Sequence, residues 1–127
     1  MSERRRVRSG APHEELYGYS RAVRVGDRVI VSGTAPVWAD GSCDRDAGAQ
    51  ARRCCEIIVA ALSELGANAA NVVRTRMFIT DLADSEAVGI AHREFFGEAA
   101  PATTMVVVSA LLDPRWKVEI EADALIP

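Results

Sequence analysis

The sequence predicts an α+β domain, and three observations carry that prediction. Segments of alternating polar and apolar residues, the period of a half-buried strand, occupy both ends of the chain. Between them lie stretches with the three- and four-residue apolar spacing of amphipathic helices. No repeat, low-complexity tract or long linker divides the 127 residues, so one domain, 1–127, accounts for all of them.

Residues 1–16 read as an N-terminal arm. The first strand is expected over 17–25, and Gly26-Asp27 supplies a two-residue hairpin turn into a second strand over 28–33. A loop containing Pro36, Asp40 and Gly41 leads to a helix over 47–65, with Asp46 as its N-cap and Gly66 as its stop. Ala51, Cys54, Ile58, Ala61, Leu62 and Leu65 form its apolar stripe. A strand over 71–80 follows, with Val73, Thr75, Met77 and Ile79 on one face and Arg74, Arg76, Phe78 and Thr80 on the other. Asp84 is the expected cap of a second helix that turns Val88, Ala91, Phe95 and Phe96 inward and ends at Gly97. Strands over 102–110 and 116–126 complete the order β-β-α-β-α-β-β.

Two helices cover one face of such a sheet. In residues 103–108, however, apolar side chains alternate onto both faces: Met105 and Val107 on one, Val106 and Val108 on the other. Strands apolar on both faces are usually buried on both. Another copy of the chain is the expected cover, which makes the protein a homo-oligomer.

Composition narrows the function. A net charge of −3 provides no general attraction to a phosphate backbone, so no nucleic-acid partner is expected. No apolar run is long enough to span a bilayer, and no apolar stretch follows Arg4-Arg5-Arg6 as in a signal peptide. A cytoplasmic location without membrane association is the resulting expectation. The three cysteines, Cys43, Cys54 and Cys55, make neither a disulfide framework nor a metal cluster. Adjacent helix residues point about 100° apart, so Cys54 and Cys55 are poorly placed to share an ion. Neither a metal nor a cofactor is expected.

Chemistry is most visible in the last strand. Trp116, Val118, Ile120, Ala122 and Ala124 alternate with Lys117, Glu119, Glu121 and Asp123, placing three carboxylates on one face. These either form a solvated face or include a glutamate buried at a subunit boundary, where a raised pKa suits proton relay. Arg76 either clamps an anionic ligand or pairs with Glu119, Glu121 or Asp123. His92 reads as a helix-surface histidine and His13 as part of the arm, while Tyr17 and Tyr19 stand where a strand begins. No nucleophile elbow, phosphate loop or dinucleotide fingerprint is present.

Several short motifs occur in order: Gly18-Tyr19-Ser20-Arg21-Ala22-Val23, Val31-Ser32-Gly33, Ala49-Gln50, Phe78-Ile79-Thr80-Asp81-Leu82, Pro101-Ala102-Thr103-Thr104 and Val118-Glu119-Ile120-Glu121-Ala122. Together they resemble the Rid family of reactive-intermediate deaminases, also called YjgF-like proteins, from about residue 17 onward. The resemblance implies a chorismate-mutase-like fold, a homotrimer and a small-molecule cleft between subunits. In its best-known branch these clefts hydrolyse imines and enamines. Tyr19 and Glu119 match the family's catalytic tyrosine and glutamate, and Gly33 matches a pocket glycine. Thr103 stands where that branch has a carboxylate-binding arginine, Gly89 where it has an asparagine, and Met105 where it often has a cysteine.

A hydroxyl does not replace a bidentate cation. Breaking a buried charge pair costs about 2–5 kcal/mol, or about two to four decades in binding or rate. The resemblance therefore implies a reactive imine or enamine other than the standard 2-imino acids. Glu119 and Tyr19 are the catalytic candidates; Gly33, Arg76, Thr103, Thr104, Met105 and Trp116 are the substrate-binding ones. The alternative is a non-catalytic ligand-binding or regulatory trimer. RNA cleavage, a label attached to some relatives, finds no basic groove in this sequence.

Overall fold

The computed structural model describes residues 3–127. Its elements are β1 (Arg4–Val7), α1 (Pro12–Tyr17), β2 (Ala22–Val25), β3 (Arg28–Thr34), α2 (Ala47–Glu64), β4 (Val72–Ile79), α3 (Ser85–Phe96), β5 (Ala102–Val107) and β6 (Val118–Leu125). The six strands form one sheet in the order β1-β2-β3-β6-β4-β5. Only β4 and β5 run parallel, and α3 supplies the crossover that a parallel pair requires. The chain is thus α+β with a mixed sheet, as the sequence predicts.

Local chemistry explains most boundaries. Val25 pairs with Arg28 across the Gly26-Asp27 turn. Gly26 has φ +62° at the first turn position, where type II′ hairpins favour glycine. The Asp46 carboxylate accepts the Ala49 amide at 2.9 Å, capping α2. At the other end, the Ala67 amide donates to Leu62 and the Gly66 amide to Ser63, with Gly66 at φ +84°. Ile58, Leu62 and Leu65 then seat α2 on the sheet, and Val88, Ala91 and Phe96 do the same for α3. They meet Val29, Val31, Met77, Ile79, Val118 and Ile120, all essentially solvent-free.

Four expectations change. Residues 4–7 and 12–17 of the expected arm form a strand and a helix. Arg4, Arg5 and Arg6 pair with Val25, Arg24 and Val23 of β2, while Met1 and Ser2 lie outside the described residues. Strand β1 shows no apolar alternation because backbone pairing along the edge of β2 holds it. The strand expected from Tyr17 starts only at Ala22, since α1 continues through Tyr17 and Gly18 closes it at φ +78°. Val73 is exposed and Val72 is buried instead, because a register shift at 72–74 rotates the start of β4. Asp84 makes no side-chain cap; Asp81 caps the short turn before α3 by accepting the Ala83 amide at 2.9 Å.

The face opposite α2 and α3 leaves Ile30 and Val106 substantially exposed, and Val107 is open on the terminal strand β5. No helix among the described residues is long and apolar enough to cross a membrane.

Phe96 is fully buried beneath the sheet. Phe96→Ala should destabilise the fold by about 3–5 kcal/mol, measured by urea unfolding. Burial also pushes the Cys55 thiol up to about 12 and raises that of Cys54. Thiol titration of the native protein at pH 8 should therefore detect Cys43 first, with Cys54 and Cys55 reacting only after unfolding.

Candidate active site

A register shift in β3 begins the site. Val31 pairs with Ala122 and Thr34 with Ile120, so the β3 side contains one residue more than β6. Carbonyls at the bulge leave the regular ladder and need other donors. Arg21 provides them, donating from Nη2 to Ser32 O at 2.8 Å and Gly33 O at 2.5 Å. The Ser32 hydroxyl donates to Ser20 O at 2.7 Å, tying the bulge to the segment that carries Tyr19.

Gly33 leaves room at this bulge for the Glu119 carboxylate. A Cβ at residue 33 would overlap Glu119 Oε2, the far end of a flexible side chain, and turn the carboxylate aside. The missing side chain is what allows the β6 carboxylate to lie against the β3 backbone. Glu119 is half-buried, and its carboxyl pKa is raised, chiefly by burial. Arg21 opposes that rise and Glu121 adds to it. Burial lowers the Arg21 pKa, while Glu14, Tyr19 and Glu119 oppose the change.

Glu119, Gly33 and Arg21 open onto a cavity of about 930 Å³. Tyr17 and Tyr19, Trp38, Arg53 and Ile57, Leu112 and Trp116 also line it. The N-terminal side is held by Glu14, a buried carboxylate that accepts the Ser9 amide at 3.0 Å and also the Ser9 hydroxyl. Fully buried Gln50 fixes the opposite side. Its Nε2 donates to Asp44 O at 2.7 Å and Arg115 O at 2.9 Å, and its Oε1 accepts the Lys117 amide at 2.7 Å. These bonds place Trp116 and the entry to β6. At the rim, the Arg53 guanidinium stacks 4.2 Å from the Trp38 ring centre, and Trp38 Nε1 donates to Asp44 at 2.8 Å.

Of the sequence-predicted site residues, Tyr19, Gly33, Trp116 and Glu119 converge on this cavity. Arg76, Thr103, Thr104 and Met105 do not line it. Arg76 pairs with Glu121 at 3.1 Å, the ionic contact that one of its two readings anticipates. The Thr104 hydroxyl accepts Arg74 Nη2 at 3.0 Å. Met105 packs partly buried beside α3, near Gly89. Thr103 is exposed on β5, with its hydroxyl 2.7 Å from that of Thr75.

Sequence reasoning missed Arg21, Glu14 and Arg53. For Arg21 a signal existed, since it lies two residues after Tyr19 and therefore points to the same side of an extended segment. Glu14 and Arg53 carried none, because loop closure brings them to the site. His92 is not a free surface group: it is half-buried, with Nε2 2.7 Å from Thr75 Oγ1. His13 lies on the cavity wall against the Tyr17 ring. Among the described residues, no group of three or more His, Cys, Asp or Glu is placed to hold a metal ion.

The mixed sheet, the helix pair on one face and the bulge-backed carboxylate define a class of small α+β proteins with a site at one end of the sheet. Comparison with known proteins places the chain within that class. The family model described as Endoribonuclease L-PSP matches residues 11–126, and the chain belongs to this family, which includes the YjgF-like proteins. A crystal structure of a Mycobacterium tuberculosis member of the YjgF/YER057c/UK114 family is 44% identical. It superimposes with a TM-score of 0.90, covering 98% of this chain and 100% of that one. The 2-iminobutanoate/2-iminopropanoate deaminase of Salmonella typhimurium is 36% identical over 111 residues, covering 84% of this chain and 86% of the enzyme. Escherichia coli TdcF, solved with bound serine, is 29% identical with a TM-score of 0.81, covering 97% and 94% of the two chains.

Burial raises the folded-state pKa of Glu119 above its unfolded value. The folded protein consequently holds more protons in this range, and stability falls as pH rises from the unfolded pKa, about 4.3, through the folded one. Glu119→Gln removes that penalty. Its melting temperature should gain on wild type between pH 4 and pH 7, a trend checked by scanning calorimetry across that range.

Proposed function

We propose that this protein is an oligomeric imine or enamine hydrolase in which Glu119 activates water. The supporting observation is a half-buried carboxylate of raised pKa, packed against Gly33 and opening onto the cavity. A raised pKa makes the carboxylate a stronger base toward water and keeps its protonated form accessible closer to neutral pH. Water adds to the carbon of the C=N bond as Glu119 removes one of its protons. Protonated Glu119 passes that proton to nitrogen to give the carbinolamine, then takes the hydroxyl proton and delivers it to nitrogen as the C–N bond breaks, releasing a carbonyl compound and ammonia. Tyr19 lies on the same wall to orient the substrate.

In this reading Thr103, Thr104 and Met105 enter the site from a second copy of the chain, in a homotrimer. The exposed apolar side chains of β5, Val106 and Val107, support that assembly. An open apolar edge strand otherwise invites uncontrolled pairing. Thr103 carries no charge, so the substrate differs from the 2-imino acids named for the Salmonella relative.

A ligand-binding trimer without turnover is the second reading, favoured by the same neutral Thr103 and by the relative solved with bound serine. RNA cleavage is not proposed. The cavity cations Arg21 and Arg53 are already engaged by backbone carbonyls, and the net charge is −3.

The deciding experiment follows imine loss with substrates generated in situ, with and without a carboxylate. Glu119→Gln should reduce kcat by about two orders of magnitude, the usual scale of a lost general base. Turnover that survives this change removes Glu119 from the mechanism. Binding without turnover by wild type supports the second reading.

Sedimentation should give a species three times the 13.7 kDa chain mass. Val107→Lys places a charge on the terminal strand and should shift that species toward monomer.

A further inference from the structure

Three side chains outside the cavity form a continuous polar chain. Thr75, fully buried in β4, places Oγ1 2.7 Å from His92 Nε2 and 2.7 Å from Thr103 Oγ1. Thr103 is exposed on β5, and its hydroxyl also makes a long 3.3 Å bond to Pro101 O. The chain therefore runs from a half-buried imidazole, through a buried hydroxyl, to a hydroxyl open at the edge of the sheet.

Such a chain has two proton arrangements. In one, His92 Nε2–H donates to Thr75, Thr75 donates to Thr103, and the Thr103 proton points outward, shared with Pro101 O. In the other, Thr103 donates to Thr75 and Thr75 donates to a bare Nε2, leaving Thr103 as an acceptor. The two differ by the imidazole tautomer, and neutral histidine supports both. Burial lowers the His92 pKa, which favours the neutral ring.

An exposed threonine satisfies its hydroxyl with water and needs no buried support. A purely apolar contact between α3 and the sheet would likewise leave no buried hydroxyl requiring a partner. We infer that His92 and Thr75 are positioning residues for Thr103, and that Thr103 binds an uncharged carbonyl or amide group of the substrate. This inference rests on the hydrolase reading above, in which Thr103 reaches a neighbouring subunit's cavity. A single reversible hydroxyl matches an amide, which offers both an acceptor and donors. It does not neutralise a carboxylate.

The test compares a 2-imino carboxamide with the corresponding 2-imino carboxylate, both generated in situ, using the full chain. Wild type should prefer the carboxamide. Thr75→Val and Thr103→Val should raise its KM about threefold to tenfold, the range of one neutral hydrogen bond, with the change in KM rather than kcat. Thr75→Ser should restore the wild-type KM. His92→Phe keeps a ring against Phe96 and serves as the second variant should Thr75→Val fail to fold. Wild-type preference for the carboxylate overturns this inference and the exclusion of 2-imino acids while leaving hydrolysis by Glu119 standing; a folded Thr75→Val or His92→Phe protein with wild-type KM overturns this inference alone. No acceleration of either imine by wild type overturns the hydrolase reading and this inference with it.

Discussion

The register shift between Val31 and Thr34 is the constraint on which the site depends. One extra residue in β3 turns the Ser32 and Gly33 carbonyls out of the regular ladder, and Arg21 accepts the task of binding both. That requirement draws the segment bearing Tyr19 against the bulge. Gly33 leaves a gap that the half-buried Glu119 carboxylate occupies. The raised pKa of Glu119, caused chiefly by burial, is thus linked to a backbone irregularity on the adjacent strand. A side chain at residue 33 would close the gap; a regular β3 would remove the need for Arg21.

Around this centre the protein uses neutral hydrogen bonds for placement and charges for local balance. Gln50, free of solvent, joins the approach to α2 with the approach to β6 through two donated bonds and one accepted bond. A charged residue there would carry a larger desolvation cost. Arg21 and Arg53 line the cavity, but both bind backbone carbonyls. Arg76 and Glu121 offset one another on the open sheet face. The ion pairs therefore settle the resting structure, and Glu119 remains the carboxylate available for chemistry in the proposed reaction.

The fold was legible wherever local pattern and burial agreed. The stripe of α2, the Gly26-Asp27 turn, the Asp46 cap and the alternation of β6 all follow from short-range rules. The exceptions have a common origin. Strand β1 exists because β2 presents a pairing edge, and the exposure of Val73 follows from a register shift at the start of its own strand, where β4 meets β6. In the site, the family motifs brought Tyr19, Gly33 and Glu119 to attention, and all three lie on one cavity. Glu14 and Arg53 were silent because their roles arise from loop packing. His92 looked like a surface histidine because helical spacing reports which way it points, and not the hydroxyl that meets it.

By itself, the sequence determined the α+β class, the main helix and strand order, the family and the carboxylate-bearing strand, because these are written in periodicity, turn residues and short motifs. Only the tertiary structure decided that Arg76 belongs to Glu121, that Arg21 stabilises the bulge, and that Thr103 connects through Thr75 to His92. The reason is physical. Periodicity assigns a side chain to a face, whereas its partner on the neighbouring strand or helix is chosen by sheet register and loop closure, which bring together residues distant in the chain.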